Sequence, residues 1–227
     1  MTNKPLISVV CVTNKPGAVE YLKKQLDKQT FKDFEVIIAD DGGNPKLYDK
    51  QFKPREKQEG DVWNLNKSYN DCLSRVEGEL IVYLQDFIQI SANGLQRFKT
   101  LWEILPTALI TGCGHKYKDG KITETDDRVF GEKGLVESDW TYYELNWSSC
   151  PTKIAPKFEE DMDTHYGGEN QIFAFKANRP VWIDRLNECK GEMHEGRPDD
   201  WEICHVNKDG FLNKKIKEIY DKHFNAN

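Results

Sequence analysis

ISVVCVTNKPGAVEYLKKQLDKQTFKDFEVIIADDGG, residues 7–43, decides the fold class. Its first segment, Ile7-Ser8-Val9-Val10-Cys11-Val12, is rich in β-branched residues and almost wholly apolar. That is the texture of a strand covered on both faces, as in a parallel sheet. Thr13-Asn14-Lys15-Pro16-Gly17 reads as a loop, because Pro and Gly punctuate it, and Val19, Leu22 and Leu26 at helical spacing predict a helix over 18–29. Phe34-Glu35-Val36-Ile37-Ile38-Ala39 is a second strand, running into Asp40-Asp41-Gly42-Gly43. Strand, helix, strand at this length make one βαβ unit.

The pattern continues outward. Residues 44–61 are polar and read as exposed loop with some helix. Leu65, Tyr69, Cys72 and Leu73 predict a helix to about Arg75, closed by Gly78. Leu80-Ile81-Val82-Tyr83-Leu84 is a third buried strand ending in Gln85-Asp86-Phe87. An amphipathic helix is expected over 92–105 and a strand over 107–113. The expected class is α/β: a Rossmann-like, mixed and mostly parallel sheet flanked by helices. After Gly114 the texture changes. Residues 115–166 carry many acids and an aromatic cluster, Trp140, Tyr142, Tyr143 and Trp147, that reads equally as a stacking platform or as core. Gly167-Gly168 introduces a helix over 169–177. A short strand over 181–183 and a helix over 211–224 follow. The whole reads as a single domain, 1–227, with halves at 1–113 and 114–195 and a helical extension at 196–227.

Composition narrows the function. The 227 residues carry 32 basic and 38 acidic side chains, a net charge of −6, which disfavours a charge-driven nucleic-acid binder. No apolar run approaches the ~18 residues of a membrane span. The six cysteines form no C-x-x-C pair, so zinc has no spacing support, and reduced core thiols in a cytoplasmic protein are the expectation.

Ligands of parallel sheets sit beyond the carboxyl ends of the strands. Three such ends carry polar groups here: Thr13-Asn14, Asp40-Asp41-Gly42-Gly43 and Gln85-Asp86. Each alone is an ordinary strand-end turn; together they mark a candidate site. There is neither G-x-G-x-x-G nor G-x-x-x-x-G-K-S/T, so the phosphate cradles of dinucleotide folds and P-loops are missing. A carboxylate after the second strand suits a nucleobase N–H or a ribose hydroxyl instead.

Residues 7–14, 34–43, Asn70, 78–86 and 167–170, in this order and at ordinary spacing, resemble the GT-A glycosyltransferases of the family-2 type. Gly167-Gly168-Glu169-Asn170 is similar to the Gly-Gly-Glu-Asn of the polypeptide N-acetylgalactosaminyltransferases. The resemblance implies a GT-A fold, with a nucleotide-sugar-binding half before residue 114 and an acceptor-binding half after it. It implies transfer of a sugar from a nucleotide-sugar donor, expected to be UDP-linked, to an acceptor hydroxyl, assisted by Mn²⁺ or Mg²⁺. Thr13, Asp40, Asp41, Lys67 and Asn70 would bind the nucleotide. Asp86 and His194 would hold the metal, and Glu169 would be the catalytic base or a contact to the donor sugar. Gln85, Asn170, Trp140 and Trp147 are the candidate donor or acceptor contacts.

Two departures stand out. The acid motif reads Gln85-Asp86-Phe87, without the outer acids of Asp-x-Asp, and Glu169 is followed by Asn170 where many inverting members have Glu-Asp. Inverting and retaining outcomes both stay open. A glycan, a peptide, a lipid-linked sugar and a hydroxylated nucleobase in DNA are the acceptors considered. The competing reading is a non-catalytic nucleotide- or glycan-binding module with a degenerate acid motif.

Overall fold

The computed structural model describes residues 4–164 and 168–192. In chain order the main elements are β1 (Ile7–Thr13), α1 (Ala18–Asp27), β2 (Phe34–Asp40), β3 (Lys50–Phe52), α2 (Leu65–Leu73), β4 (Leu80–Leu84), β5 (Ile88–Ile90), α3 (Gly94–Ile104), β6 (Leu109–Lys118), β7 (Lys121–Thr125), β8 (Leu135–Ser138), β9 (Trp147–Pro151), α4 (Glu169–Ala177) and β10 (Val181–Glu192). The strands form one sheet in the order β3-β2-β1-β4-β9-β6-β10-β5, with β7 beside β6 and β8 beside β10. Strands β3, β2, β1 and β4 run parallel, as do β6 and β10. β9 enters antiparallel between β4 and β6, which makes the sheet mixed.

The apolar run of β1 works because alternate residues feed opposite cores. Val9 and Cys11 pack with Leu22 and Leu26 of α1 and with Leu95 and Phe98 of α3. Val10 packs with Tyr69 and Cys72 of α2 and with Phe173 of α4. The same split holds in β4, where Val82 and Leu84 face one core and Ile81 and Tyr83 the other. Each such side chain contributes about 1.5–3 kcal/mol through burial, so this period-two pattern fixes the register of the sheet's centre.

Several expectations need correction. Residues 44–61 contain no helix; a short parallel strand, β3, forms there instead. The second helix stops at Leu73, well before Gly78. Gly78 is needed for a close approach: a Cβ there would lie 2.7 Å from the backbone nitrogen of Ser8. The strand at 107–113 begins later and runs on as β6, straight through the point where the texture changes, and the strand at 181–183 extends into β10. The helix expected over 211–224 lies outside the described residues. Among the described residues no helix is long and apolar enough to cross a membrane.

Candidate active site

The sheet brings three strand ends together. β1 pairs Thr13 with Asp40 on one side and Val10 with Tyr83 on the other, which carries Asp86 to the level of Thr13. The Thr13 hydroxyl donates to Asp86 Oδ2 at 2.8 Å, and its oxygen accepts from the Lys15 N–H at 3.1 Å. The Asp41 N–H donates to the Thr13 carbonyl at 2.9 Å. Gly42 closes this floor, since a Cβ there would sit 2.7 Å from the Lys15 backbone.

The two aspartates after β2 differ sharply. Asp40 is buried, and its carboxylate accepts from the Gly42 N–H (2.9 Å), the Asn44 N–H (3.2 Å), Asn44 Nδ2 (2.8 Å) and Gln51 Nε2 (2.9 Å). It organises the loop and has little left for a ligand. Asp41 is exposed at the rim.

Lys67 and Asn70 lie on α2, and both are occupied. The Lys67 ammonium forms a buried ion pair with Asp61 and holds that carboxyl below the usual carboxylate range. Asn70 donates to the Phe158 carbonyl and Glu160 Oε1, each at 3.0 Å, and accepts from the Phe158 N–H at 2.9 Å. Both therefore hold neighbouring chain and reach a ligand only indirectly. α2 lacks a side-chain cap of its own. Asp163, fully buried, caps it from far along the chain, accepting from the Asn66 N–H at 2.8 Å and the Lys67 N–H at 3.1 Å.

The first turn of α4 carries the expected catalytic residue. Gly168 adopts a left-handed φ of 87° and starts the helix without a capping side chain. Glu169 is 8% exposed; its own backbone N–H faces the carboxylate, and its Oε2 is buried with no partner among the described residues. Burial pushes its carboxyl up to about 7, with Glu144 and Asp163 adding like-charge repulsion against the lowering effect of that N–H. Asn170 donates from Nδ2 to Glu144 Oε2 at 2.6 Å, and its own Oδ1 is also buried and unpartnered. Tyr69 links this turn to the strand ends. It is fully buried, its hydroxyl pairs with the Gln85 side chain, and burial together with Cys11 and Glu169 pushes its phenol up.

The two tryptophans part company. Trp147 is 1% exposed, with its ring 4.7 Å from that of Phe98, so it is core; it is corrected from the contact expected of it. Trp140 meets Phe175 edge-on at 5.2 Å, and both line an open pocket of about 360 Å³ with Asp139, Asn178 and Arg179 at the far end of α4 from Glu169. His194 lies outside the described residues. Of the two expected metal ligands this leaves Asp86, one of whose oxygens already bonds Thr13. Among the described residues no group of three or more His, Cys, Asp and Glu side chains is placed to hold a metal ion. A single carboxylate would hold Mn²⁺ or Mg²⁺ only together with substrate phosphate oxygens and water, which complete the shell of such ions.

Tyr69, Glu144 and Asp163 were not among the expected site residues. Tyr69 carried only a core signal. Asp163 carried none, because it acts on a helix 97 residues away. Glu144 stands between Tyr143 and Leu145, both fully buried, and a lone acid between two anchors was its one sequence signal.

This arrangement is the GT-A fold. The crystal structure of S. aureus TarS 1-349 superposes with a TM-score of 0.62 at 16% identity, over 82% of this chain and 60% of that one. The same protein in complex with UDP gives 0.61 at 17% identity, over 96% and 72%. GalNAc-T7 with UDP, GalNAc and Mn²⁺ gives 0.62 at 14% identity, over 88% and 46%. The chain thus spans 60% and 72% of these two TarS 1-349 structures and under half of GalNAc-T7. No protein-family model and no curated protein sequence matches it.

Proposed function

We propose that this protein is a glycosyltransferase that moves a sugar from a UDP-linked donor to an acceptor hydroxyl. One observation carries the reading. Glu169, in the first turn of α4, is a buried carboxylate with an oxygen that has no partner among the described residues and a proton affinity near neutrality. In the inverting course the acceptor oxygen attacks the anomeric carbon. The bond to the diphosphate breaks, its electron pair leaves with the diphosphate, and the acceptor's proton passes to Glu169 Oε2. General-base help of this kind contributes about 10²–10⁴-fold. In the retaining course Glu169 would hold the donor sugar by hydrogen bonds.

Thr13 and Asp41 would bind the nucleoside, Asp41 by accepting from a base N–H or ribose hydroxyl. Asp40, Lys67 and Asn70 would shape that site by fixing its walls. Gln85 and Asn170 would face the sugar, and Trp140 an acceptor. In this scheme 1–113 serves the donor and 114–195 the acceptor, which would be a glycan, a peptide, a lipid-linked sugar or a hydroxylated nucleobase in DNA. The TarS complex with UDP and the GalNAc-T7 complex with UDP, GalNAc and Mn²⁺ support UDP as the first nucleotide to test. Mn²⁺ or Mg²⁺ assistance rests on Asp86 and His194. A cytoplasmic location rests on the free state of the five described cysteines.

A second reading, a nucleotide- or glycan-binding module without turnover, is favoured by one observation, the acid motif Gln85-Asp86-Phe87, which lacks both outer acids of Asp-x-Asp. Thermal unfolding with UDP, GDP, CDP and dTDP, each in Mn²⁺ and in EDTA, separates the readings when followed by UDP release from UDP-sugars. Nucleotide at ~100 times its dissociation constant adds about 2.7 kcal/mol. A UDP-selective shift with sugar-nucleotide turnover supports the enzyme. A shift without turnover supports the module. An equal shift in EDTA removes the metal, and no shift with any nucleotide sinks the transfer reading and leaves a glycan-binding module.

A further inference from the structure

Glu144 is held from several sides. Tyr143 stacks on Phe173 of α4 with ring centroids 6.0 Å apart, and Leu145 is fully buried beside it, so the segment is fastened to the inner face of that helix. Below it, Arg128 donates to Thr111 Oγ1 at 2.8 Å and to the Tyr142 carbonyl at 3.2 Å, with Asp126 balancing its charge. The Glu144 side chain then reaches Asn170 Nδ2 at 2.6 Å.

This contact has a directional consequence. An ionised carboxylate only accepts hydrogen bonds, whereas a primary amide has one donating and one accepting end. A carboxylate at Nδ2 therefore forbids the flipped amide, which would set oxygen against oxygen. The Asn170 carbonyl is forced to the other side, where Oδ1 stands buried and unpartnered in the residue next to Glu169.

We propose that Glu144 is a positioning residue that acts through Asn170: it fixes the orientation of that amide and, with it, the first turn of α4 that carries Glu169. The proposal deepens the reading of Glu169 as the base, and it rests on that reading only for its effect on turnover. Glu144 also faces Glu169 as a like charge. The other charged groups around the pair are Asp163 on the Glu169 side and Arg128, Asp126 and Lys116 on the Glu144 side.

The test compares E144L, which removes the acceptor, with E144Q, which keeps one. The first readout is the Asn170 side-chain ¹⁵N amide resonance of the unliganded protein, identified by its loss in N170A. E144L is expected to shift it and speed its proton exchange, with E144Q in between. The second is UDP release from UDP-glucose, UDP-N-acetylglucosamine and UDP-N-acetylgalactosamine. A displaced catalytic turn predicts a fall in kcat of up to about 10²-fold in E144L. E144Q should recover most of it, and the pH midpoint of kcat/KM should fall in both variants. An unmoved amide resonance in folded E144L overturns the proposal. So does an unchanged pH midpoint in both variants, because a merely structural role would lower stability alone. A shifted resonance in a protein that turns over none of the three donors supports the positioning role and sinks the transfer reading.

Discussion

The polar residues at the strand ends and those at the first turn of α4 are handled in opposite ways. At the strand ends nearly every polar group is answered from within: Asp40 accepts four hydrogen bonds, and Thr13 bonds both Lys15 and Asp86. At α4 two adjacent side chains, Glu169 and Asn170, each bury an acceptor atom that has no partner among the described residues. A buried unsatisfied acceptor costs about 1–3 kcal/mol. The saturated region is the frame, and the unsatisfied one is where a substrate's hydrogen-bond donors would complete the site.

The largest effect that would sharpen this contrast is on turnover. E169Q keeps the shape of the side chain and removes its basicity. UDP-sugar turnover should fall about 10²–10⁴-fold, while the UDP-induced thermal shift stays intact. Turnover within a factor of a few of wild type would take the base away from Glu169.

Next comes the frame. D40N sets an amide N–H against donors that now reach a carboxylate, and should lower stability by about 3 kcal/mol in urea unfolding, with UDP binding lost. A variant of wild-type stability would show the four bonds to be idle.

The third effect is the pH dependence of stability. The Glu169 carboxyl is raised in the folded chain, from an ordinary 4.5 to about 7. The folded state therefore binds more protons than the unfolded one between these values. The associated stability is fully present below about pH 4.5, is lost as pH rises toward 7, and stays lost above it, by up to about 3 kcal/mol. E169Q should flatten that slope and unfold at a higher temperature than wild type at pH 8. Glu144 and Asp163, also raised by burial, remain in both proteins, so the difference between the two slopes isolates Glu169. Parallel slopes would mean that Glu169 is not buried as described.

How much of this could be read in the chain follows the same division. Local patterns carried far: the nearly unbroken apolar runs in residues 7–12 and 80–84 announced strands covered on both faces, and Gly167-Gly168 announced the start of α4. What escaped depends on partners remote in sequence. Lys67, expected against the nucleotide, is instead taken up by Asp61. Trp147 reads as a platform until β9 carries it between β4 and β6, against Phe98. Gly78 reads as a helix stop, when its hydrogen is what lets the chain pass Ser8. In each case tertiary packing decides between meanings that a local pattern leaves equal.

The smallest effect tests the contrast within a single dipeptide. Asp40 and Asp41 are adjacent and chemically identical, yet one is enclosed by the loop it organises and the other stands at the rim. If Asp41 is the ligand-facing member, D41N should leave the urea midpoint of the unliganded protein within about 0.5 kcal/mol of wild type, because an exposed side chain has little to lose on folding. UDP affinity should then weaken about tenfold, or about 1.4 kcal/mol, measured by calorimetry, since an amide can still accept one hydrogen bond but without charge assistance. D41A should weaken it further. A loss of stability in D41N comparable to that in D40N would mean that both aspartates belong to the frame, and the nucleotide would then have to be bound without a carboxylate from β2.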